Sequence, residues 1–469
     1  MGDLSTKVAL TVKRYGIKVR PNASTGLWVF PLVPLAVIVS ALRHPNEVSV
    51  IYQYAALLCI GLLQTSLLFV LHCSRKGQPD GSHLMLPTAI TTVAFYSYFK
   101  TGFVFSICSG LFSSFGYYKL LLFTLKVLPC SFTIGEASIV VQAAILFFYT
   151  TVLNVINSIA QVTFTKMQTS TLIIQLGVLT VALICWLCYR FKSLRKPIPF
   201  YMMAVFSCVF FLFVPLHLIL NFSPILWILQ LMINDARAMR VVSIWIFGSL
   251  LAFLVARSQM RGAKKATTIQ RKAFHILAVL MFTPGLVMEC SLTFIASAVI
   301  LSIFIVFDVM RVLCLPPFGQ AFQDTFVVYG DDKDVGITAL TALYLPVACG
   351  IPMFVHPSPC DITDSAGFYL LPVMSGLLSI GIGDSAASAV GSKCGRFHWK
   401  HSKKTVEGTL ASIISQALIV YCLFYYGFVS GEETLIRSGI AIVVTSLMEA
   451  KTTQIDNLVL PLLMYILLV

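Results

Sequence analysis

The sequence predicts an all-α, polytopic integral membrane protein with about 13–15 transmembrane helices, and three observations lead there. Of its 469 residues, 58% are hydrophobic and only 11% charged, against about 45–50% and about 25% in a soluble domain. Apolar stretches long enough to cross about 30 Å of hydrocarbon recur along the whole chain. The basic residues gather in the gaps between those stretches, and chiefly in alternate gaps, the pattern that membrane insertion imposes.

Taken in order, the expected spans lie near 26–42, 50–72, 84–98, 103–127, 136–156, 171–190, 199–220, 239–256, 273–288, 291–312, 336–356, 366–390, 408–428, 434–449 and 455–469. Lipid offers the backbone no hydrogen-bond partners, so helices must fill them. With 15 spans, the side that carries the N-terminus holds 26 of the 33 Lys and Arg. The other side holds Arg43, Lys100, Lys166, Arg237, Arg240 and Arg437, and Lys119 falls inside a span. The N-terminus and the loop around 391–407 are therefore expected on the cytosolic side, and the C-terminus on the other. The net charge of +14 is thus explained by topology, and a nucleic-acid partner is rejected.

Most of the 13 cysteines sit in apolar segments and read as packing residues, including Cys185 and Cys188 of a CxxC inside a predicted helix. The stretch from Met1 to Thr25 lacks the apolar core of a cleavable signal. The start MGDLST fits a myristoylation pattern at Gly2, for which a multispan protein has little need.

Acidic residues divide the chain. Residues 1–260 carry only Asp3, Glu47, Asp80, Glu136 and Asp235, and read as scaffold or as part of a lipid groove. Residues 261–469 hold 14 of the 19 acids, often at a span boundary, so chemistry is expected there. Span parity brings the 313–335, 391–407 and 450–454 loops to one face. An enzyme acting on a lipid with a charged, water-soluble cosubstrate needs that convergence.

The stretch GIGDSAASAVGSKCGRFHWKHSKKTVEGT, residues 381–409, concentrates the polar chemistry. Small residues let backbones or a ligand approach closely. Asp384 among them is costly at membrane depth unless paired or metal-bound. Mg²⁺ typically takes one or two carboxylates beside phosphate oxygens. Lys403 and Lys404 suit phosphates as mobile point charges, and Thr405 and Gly408 suit a helix N-terminus that attracts anions. No GxxxxGK[ST] loop and no protein-kinase signature set occurs, so a nucleotide site here belongs to another class.

Four other groups complete the candidate set. DDKDVG (331–336) offers Asp331, Asp332 and Asp334, with Asp331 and Asp334 favoured. RKAFH offers Arg271, Lys272 and His275 as a phosphate clamp or as snorkelling cations beside a packed histidine. Asp308 and Arg311, three apart on one helix, read as an ion pair. EAKTTQIDN brackets the last short loop with Glu449, Asp456 and Asn457.

The ordered combination RKAFH, DDKDVG, GIGDSAASAVGSKCGR, KKTVEGT and MEAKTTQIDNLVLPL resembles the dolichol kinase family, CTP-dependent polyprenol kinases. The resemblance runs from Arg271 to the C-terminus, and the preceding NFSPILWILQLMINDARAMRV (221–241) also looks like that family; the part before position 200 resembles it only in hydropathy. It implies an endoplasmic-reticulum enzyme, facing the cytosol, that moves the γ-phosphoryl of CTP to the terminal hydroxyl of dolichol. The product serves N-glycosylation and other dolichol-dependent glycosylation.

The family's CTP-binding segment falls on Gly391, Ser392, Lys393, Gly395, Arg396, Lys400, Lys403, Lys404 and Thr405, with Arg271 and Lys272 as further phosphate contacts. A divalent cation, Mg²⁺ in the first instance, is expected on Asp384, with Asp456 or Glu449. Asp334 or Glu407 is expected to orient or deprotonate the alcohol. The same stretch is similar to phosphatidate cytidylyltransferases, but their HGG and DR residues are missing here, which favours phosphoryl over cytidylyl transfer. Kinases of phytol, farnesol or diacylglycerol are the alternative enzymes. A transporter is the non-enzyme alternative, and it predicts inverted repeats that the sequence does not show.

Overall fold

The computed structural model describes residues 2–75, 81–261, 266–330, 333–400 and 402–469. Asp331 and Asp332 lie outside the described residues. Among the described residues the regular elements are all helices, without strands, as a backbone with no hydrogen-bond partners in lipid demands. Every stretch expected to span is chiefly helix. Among the described residues eight helices are long and apolar enough to cross a membrane: Val50–Arg75, Ile134–Ile159, Lys166–Arg190, Pro197–Leu220, Ala236–Gln259, Gln270–Met288, Cys290–Val312 and Val406–Tyr425. Shorter apolar helices include Leu27–Arg43, Pro224–Ile233, Leu343–Val355 and Asp456–Leu468.

Local chemistry sets where several helices begin. Thr133, Thr165 and Thr267 each accept a hydrogen bond from the backbone three residues on, and Glu136, Gln168 and Gln270 in turn accept one from the cap backbone. Each of these capping boxes satisfies two backbone donors that a helix start leaves orphaned. The helical stretches 103–127, 197–220 and 370–394 each contain a π-segment. Such wide turns are rare and concentrate at functional sites. The last of them, Leu377–Asp384, ends on Asp384.

An amphipathic helix, Gly2–Arg14, precedes the first expected span. It buries Val8 and Val12, and Thr11 donates to the Cys73 carbonyl. The largest buried apolar cluster draws on both ends of the sequence: residues 8–149 contribute to it together with Leu340, Tyr344, Leu458, Leu462 and Tyr465. The C-terminal helix packs between Leu32–Arg43 and Leu340–Val355, so the last element in sequence is central in space.

The helix ends sort into two polar faces. On one, Arg20 reaches Thr453, Tyr201 donates to the Pro316 carbonyl, Ala266 pairs with Val328, and Lys404 meets Glu449. On the other, Tyr369 binds Glu47, Arg237 reaches the Thr363 carbonyl, Lys166 pairs with Asp364, and Arg437 holds the Val469 carbonyl. Each contact joins loops that span parity places on the same side.

One expectation is corrected. Cys290 and Cys360 are not packing thiols but form a disulfide at the second face. It ties the start of Cys290–Val312 to the loop after Leu340–Val355. Cys185 and Cys188 are free, as expected.

Candidate functional site

Lys272 and His275 stand three residues apart on Thr268–Met288, which places them on one side of that helix. Both face Asp384. The Lys272 ammonium forms an ion pair with the Asp384 carboxylate, and His275 Nε2 lies 3.9 Å from the same oxygen. Asp384 is only 6% exposed, so the cation compensates a charge that burial alone would make costly. Arg271, one residue before Lys272, is half-buried.

The chain after Ser385–Cys394 turns back on itself. Trp399 N donates to the Lys404 carbonyl at 3.0 Å and Val406 N to the Phe397 carbonyl at 2.8 Å, and His398 bridges Thr405. This hairpin leaves Lys400 and Lys403 exposed at its tip and folds Lys404 inward. Lys404 Nζ donates to the Glu449 carbonyl (2.8 Å), to Glu449 Oε1 (3.3 Å) and to Asp456 Oδ2 (3.3 Å). Burial would drive the Lys404 ammonium to a lower pKa, but Asp456, Glu449 and Asp384 together hold it above its usual range. Lys404 thus joins the two halves of the cluster electrostatically.

Gly391, Ser392, Lys393, Gly395 and Arg396 line the end of Ser385–Cys394 and the start of the hairpin, with Ser392, Lys393 and Arg396 exposed. Thr405 caps Val406–Tyr425 by accepting from Gly408 N at 3.2 Å. Gly408 is required there, since a Cβ would sit 2.8 Å from the Ala387 carbonyl.

Two groups make contacts that the sequence did not suggest. The Glu407 carboxylate accepts from Arg396 N (3.0 Å) and Phe397 N (3.1 Å), so it braces the hairpin. Asp308 and Arg311 form the expected ion pair, but they also hold a loop: Arg311 donates to the Ile337 carbonyl, and Asp308 Oδ1 accepts from Ala339 N. That pair fixes the segment carrying Asp334, which is half-buried.

Sequence reasoning missed Lys333. From the acidic 331–336 run its Nζ reaches the Gln454 carbonyl (3.0 Å) and Asp456 Oδ2 (3.3 Å). Flanking acids made it look like solvated loop; only the fold brings it to the last loop. Asp456 therefore faces two lysines through Oδ2, while its Oδ1 is buried without a hydrogen-bond partner. Among the described residues, no three His, Cys, Asp or Glu side chains converge to hold a metal ion by themselves. One or two carboxylates with an orphaned oxygen suit Mg²⁺, which takes its remaining ligands from phosphate and water.

Fold and site define a class: a multi-pass helical membrane protein with a buried network of lysines and carboxylates at one end of its bundle. The chain belongs to the dolichol kinase family, whose model matches residues 104–411. It is 34% identical to the dolichol kinase of Mus musculus over 266 residues, 54% of this chain and 49% of that protein. It is 27% identical to dolichol kinase EVAN of Arabidopsis thaliana over 391 residues, 75% of this chain and 66% of the relative. With the dolichol kinase of Saccharomyces cerevisiae it shares 25% over 254 residues, 54% of this chain and 46% of the relative. The chain spans about half the length of the mammalian relatives it matches. No solved structure matches it.

Proposed function

We propose that this protein is a CTP-dependent dolichol kinase, transferring the γ-phosphoryl group of CTP to the terminal hydroxyl of dolichol to give dolichyl phosphate and CDP. The observation that carries this reading is the Lys272–Asp384 and Lys404–Glu449–Asp456 network, gathered from segments far apart in sequence. It has the charges that a nucleotide triphosphate and its cation need, at the end of a bundle that a lipid alcohol can reach.

Phosphoryl transfer rests on positioning and charge neutralisation more than on covalent chemistry. Lys404 and Lys272 neutralise phosphate oxygens, and Lys403, Lys400 and Arg396 extend the positive surface at the hairpin. Asp384, Glu449 and Asp456 would hold a divalent cation, which supplies further neutralisation of the phosphates. The alcohol oxygen forms its bond to the γ-phosphorus as the bond from that phosphorus to the β,γ-bridging oxygen breaks. CDP leaves with the bridging oxygen. The hydroxyl proton passes to Asp334, whose neighbour Lys333 brings that loop to Asp456, while Glu407 braces the hairpin backbone.

The site faces the cytosol and the membrane is that of the endoplasmic reticulum. Two features support this side. Basic loops lie at the site's end of the bundle, and the Cys290–Cys360 disulfide lies at the opposite end, where an oxidising lumen preserves it.

The test is a phosphorylation assay on purified protein, with γ-labelled CTP and a panel of lipid alcohols. Label should appear on dolichol in preference to C15–C20 alcohols and diacylglycerol, and Asp384→Asn should abolish it while keeping the fold. Preference for a short alcohol, or wild-type turnover by the variant, would overturn the assignment.

A further inference from the structure

The acids and lysines of the site all lie from Lys272 onward, yet the loop that presents Asp456 is held from the other end of the chain. Glu136, in the first turn of Ile134–Ile159, is fully buried, and Arg20 beside it is 4% exposed. Glu136 Oε1 accepts from Arg20 Nη2 at 2.5 Å and from Ile455 N at 2.7 Å. Arg20 Nη2 also donates to the Thr453 carbonyl at 3.0 Å. Gln454, fully buried between them, accepts from Thr133 Oγ1 at 2.6 Å and donates to the Ser24 carbonyl at 3.0 Å. Thr453, Gln454 and Ile455, consecutive in the chain, are thereby pinned to two segments far earlier in the sequence, around Arg20 and Glu136. Asp456 follows directly.

Stability alone gives a weak reason for such an arrangement. A buried ion pair roughly offsets its own desolvation, and apolar packing would serve as well; here Arg20 Nε even lacks a partner. Geometry gives a better one. The Glu136 carboxylate and Arg20 guanidinium are directional, and they grip the backbone N–H and carbonyl that fix where the next side chain points.

We propose that Arg20 and Glu136 are positioning residues for Asp456, so that the N-terminal part of the chain, up to Ile159, sets the geometry of the nucleotide site. Neither residue touches the reacting atoms. The inference rests on the reading of Asp456 as part of that site.

The experiment uses the full chain in detergent, as wild type, Glu136→Gln and Arg20→Lys. The second variant keeps its charge but replaces the planar Nη2, which donates to both Glu136 and the Thr453 carbonyl, with a freely rotating ammonium on a shorter side chain. Turnover is followed with CTP and dolichol varied separately, and amide hydrogen exchange is read for residues 449–458 and for Ile134–Ile159. Expected is a fall in kcat of about 10-fold or more, as misplacement by about an ångström produces, with the KM for dolichol unchanged. Exchange in 449–458 should quicken about 10-fold while Ile134–Ile159 stays protected. Unchanged exchange in 449–458, or loosening of all helices alike, overturns the proposal. If wild type phosphorylates no lipid alcohol, the kinase reading fails, and the exchange comparison still decides the brace.

Discussion

Two adjacent lysines show how much one residue's position decides. Lys403 and Lys404 are indistinguishable in sequence, yet the hairpin turns one to solvent and the other onto Glu449 and Asp456. Lys404 stays charged at physiological pH: burial opposes its charge, but three carboxylates outweigh that effect and hold the ammonium above its usual range. Replacing it with Met leaves Glu449 without its cation and Asp456 with Lys333 alone, and removes the phosphate contact proposed for Lys404. Lys404→Met should therefore lower kcat/KM for CTP on the order of 100-fold, as losing one preorganised donor does. Lys403→Met removes an exposed charge worth at most about 1 kcal/mol, less than about 5-fold. Steady-state kinetics with CTP varied would check the contrast, and equal effects would refute it. The same comparison marks the limit of motif reading. KKTVEG drew attention to its segment, but does not reveal that Glu407 braces backbone or that Lys333 enters from another loop.

At the scale of elements, the spans were legible because the helical rise per residue and the thickness of hydrocarbon together fix their length. Helix starts at Thr133, Thr165 and Thr267 carry T-x-x-E/Q, a local signal that a reading by hydropathy overlooks. The disulfide was not legible. Cys290 and Cys360 are 70 residues apart, and no spacing rule pairs cysteines across two helices. It joins the start of Cys290–Val312 to a loop where Asp364 also holds Ser291 N and Oγ. Closing a loop of that length restrains the unfolded chain by about 4 kcal/mol on the chain-entropy account. The double variant Cys290→Ser, Cys360→Ser should thus melt several degrees lower in detergent. Its turnover per folded molecule should match wild type, because the bond lies at the end of the bundle away from Asp384. Differential scanning fluorimetry with activity on the same sample would check both; lost turnover at unchanged melting temperature would contradict the separation.

For the whole molecule, the arrangement follows from parity more than from any motif. Loops 313–335, 391–407 and 450–454 meet because an even number of crossings separates each from the next, and Lys333, Lys404 and Asp456 are the result. What parity could not supply is the contact between first and last elements, such as Arg20 on Thr453 or Ser40 on Tyr465, since hydropathy does not say which helices are neighbours. The two-faced sorting makes orientation testable with cysteines the chain already has. Cys314 and Cys394 are free and exposed at the face that carries the site. Cys290 and Cys360, at the other face, are oxidised and unreactive to maleimide. In sealed microsomes whose outer surface is cytosolic, a membrane-impermeant maleimide should label the intact vesicles. The signal should fall stepwise in Cys394→Ser and in the double variant with Cys314→Ser. Labelling that needs prior permeabilisation would place the lysine–carboxylate network in the lumen, away from cytosolic CTP, and would reverse the assigned orientation of every helix.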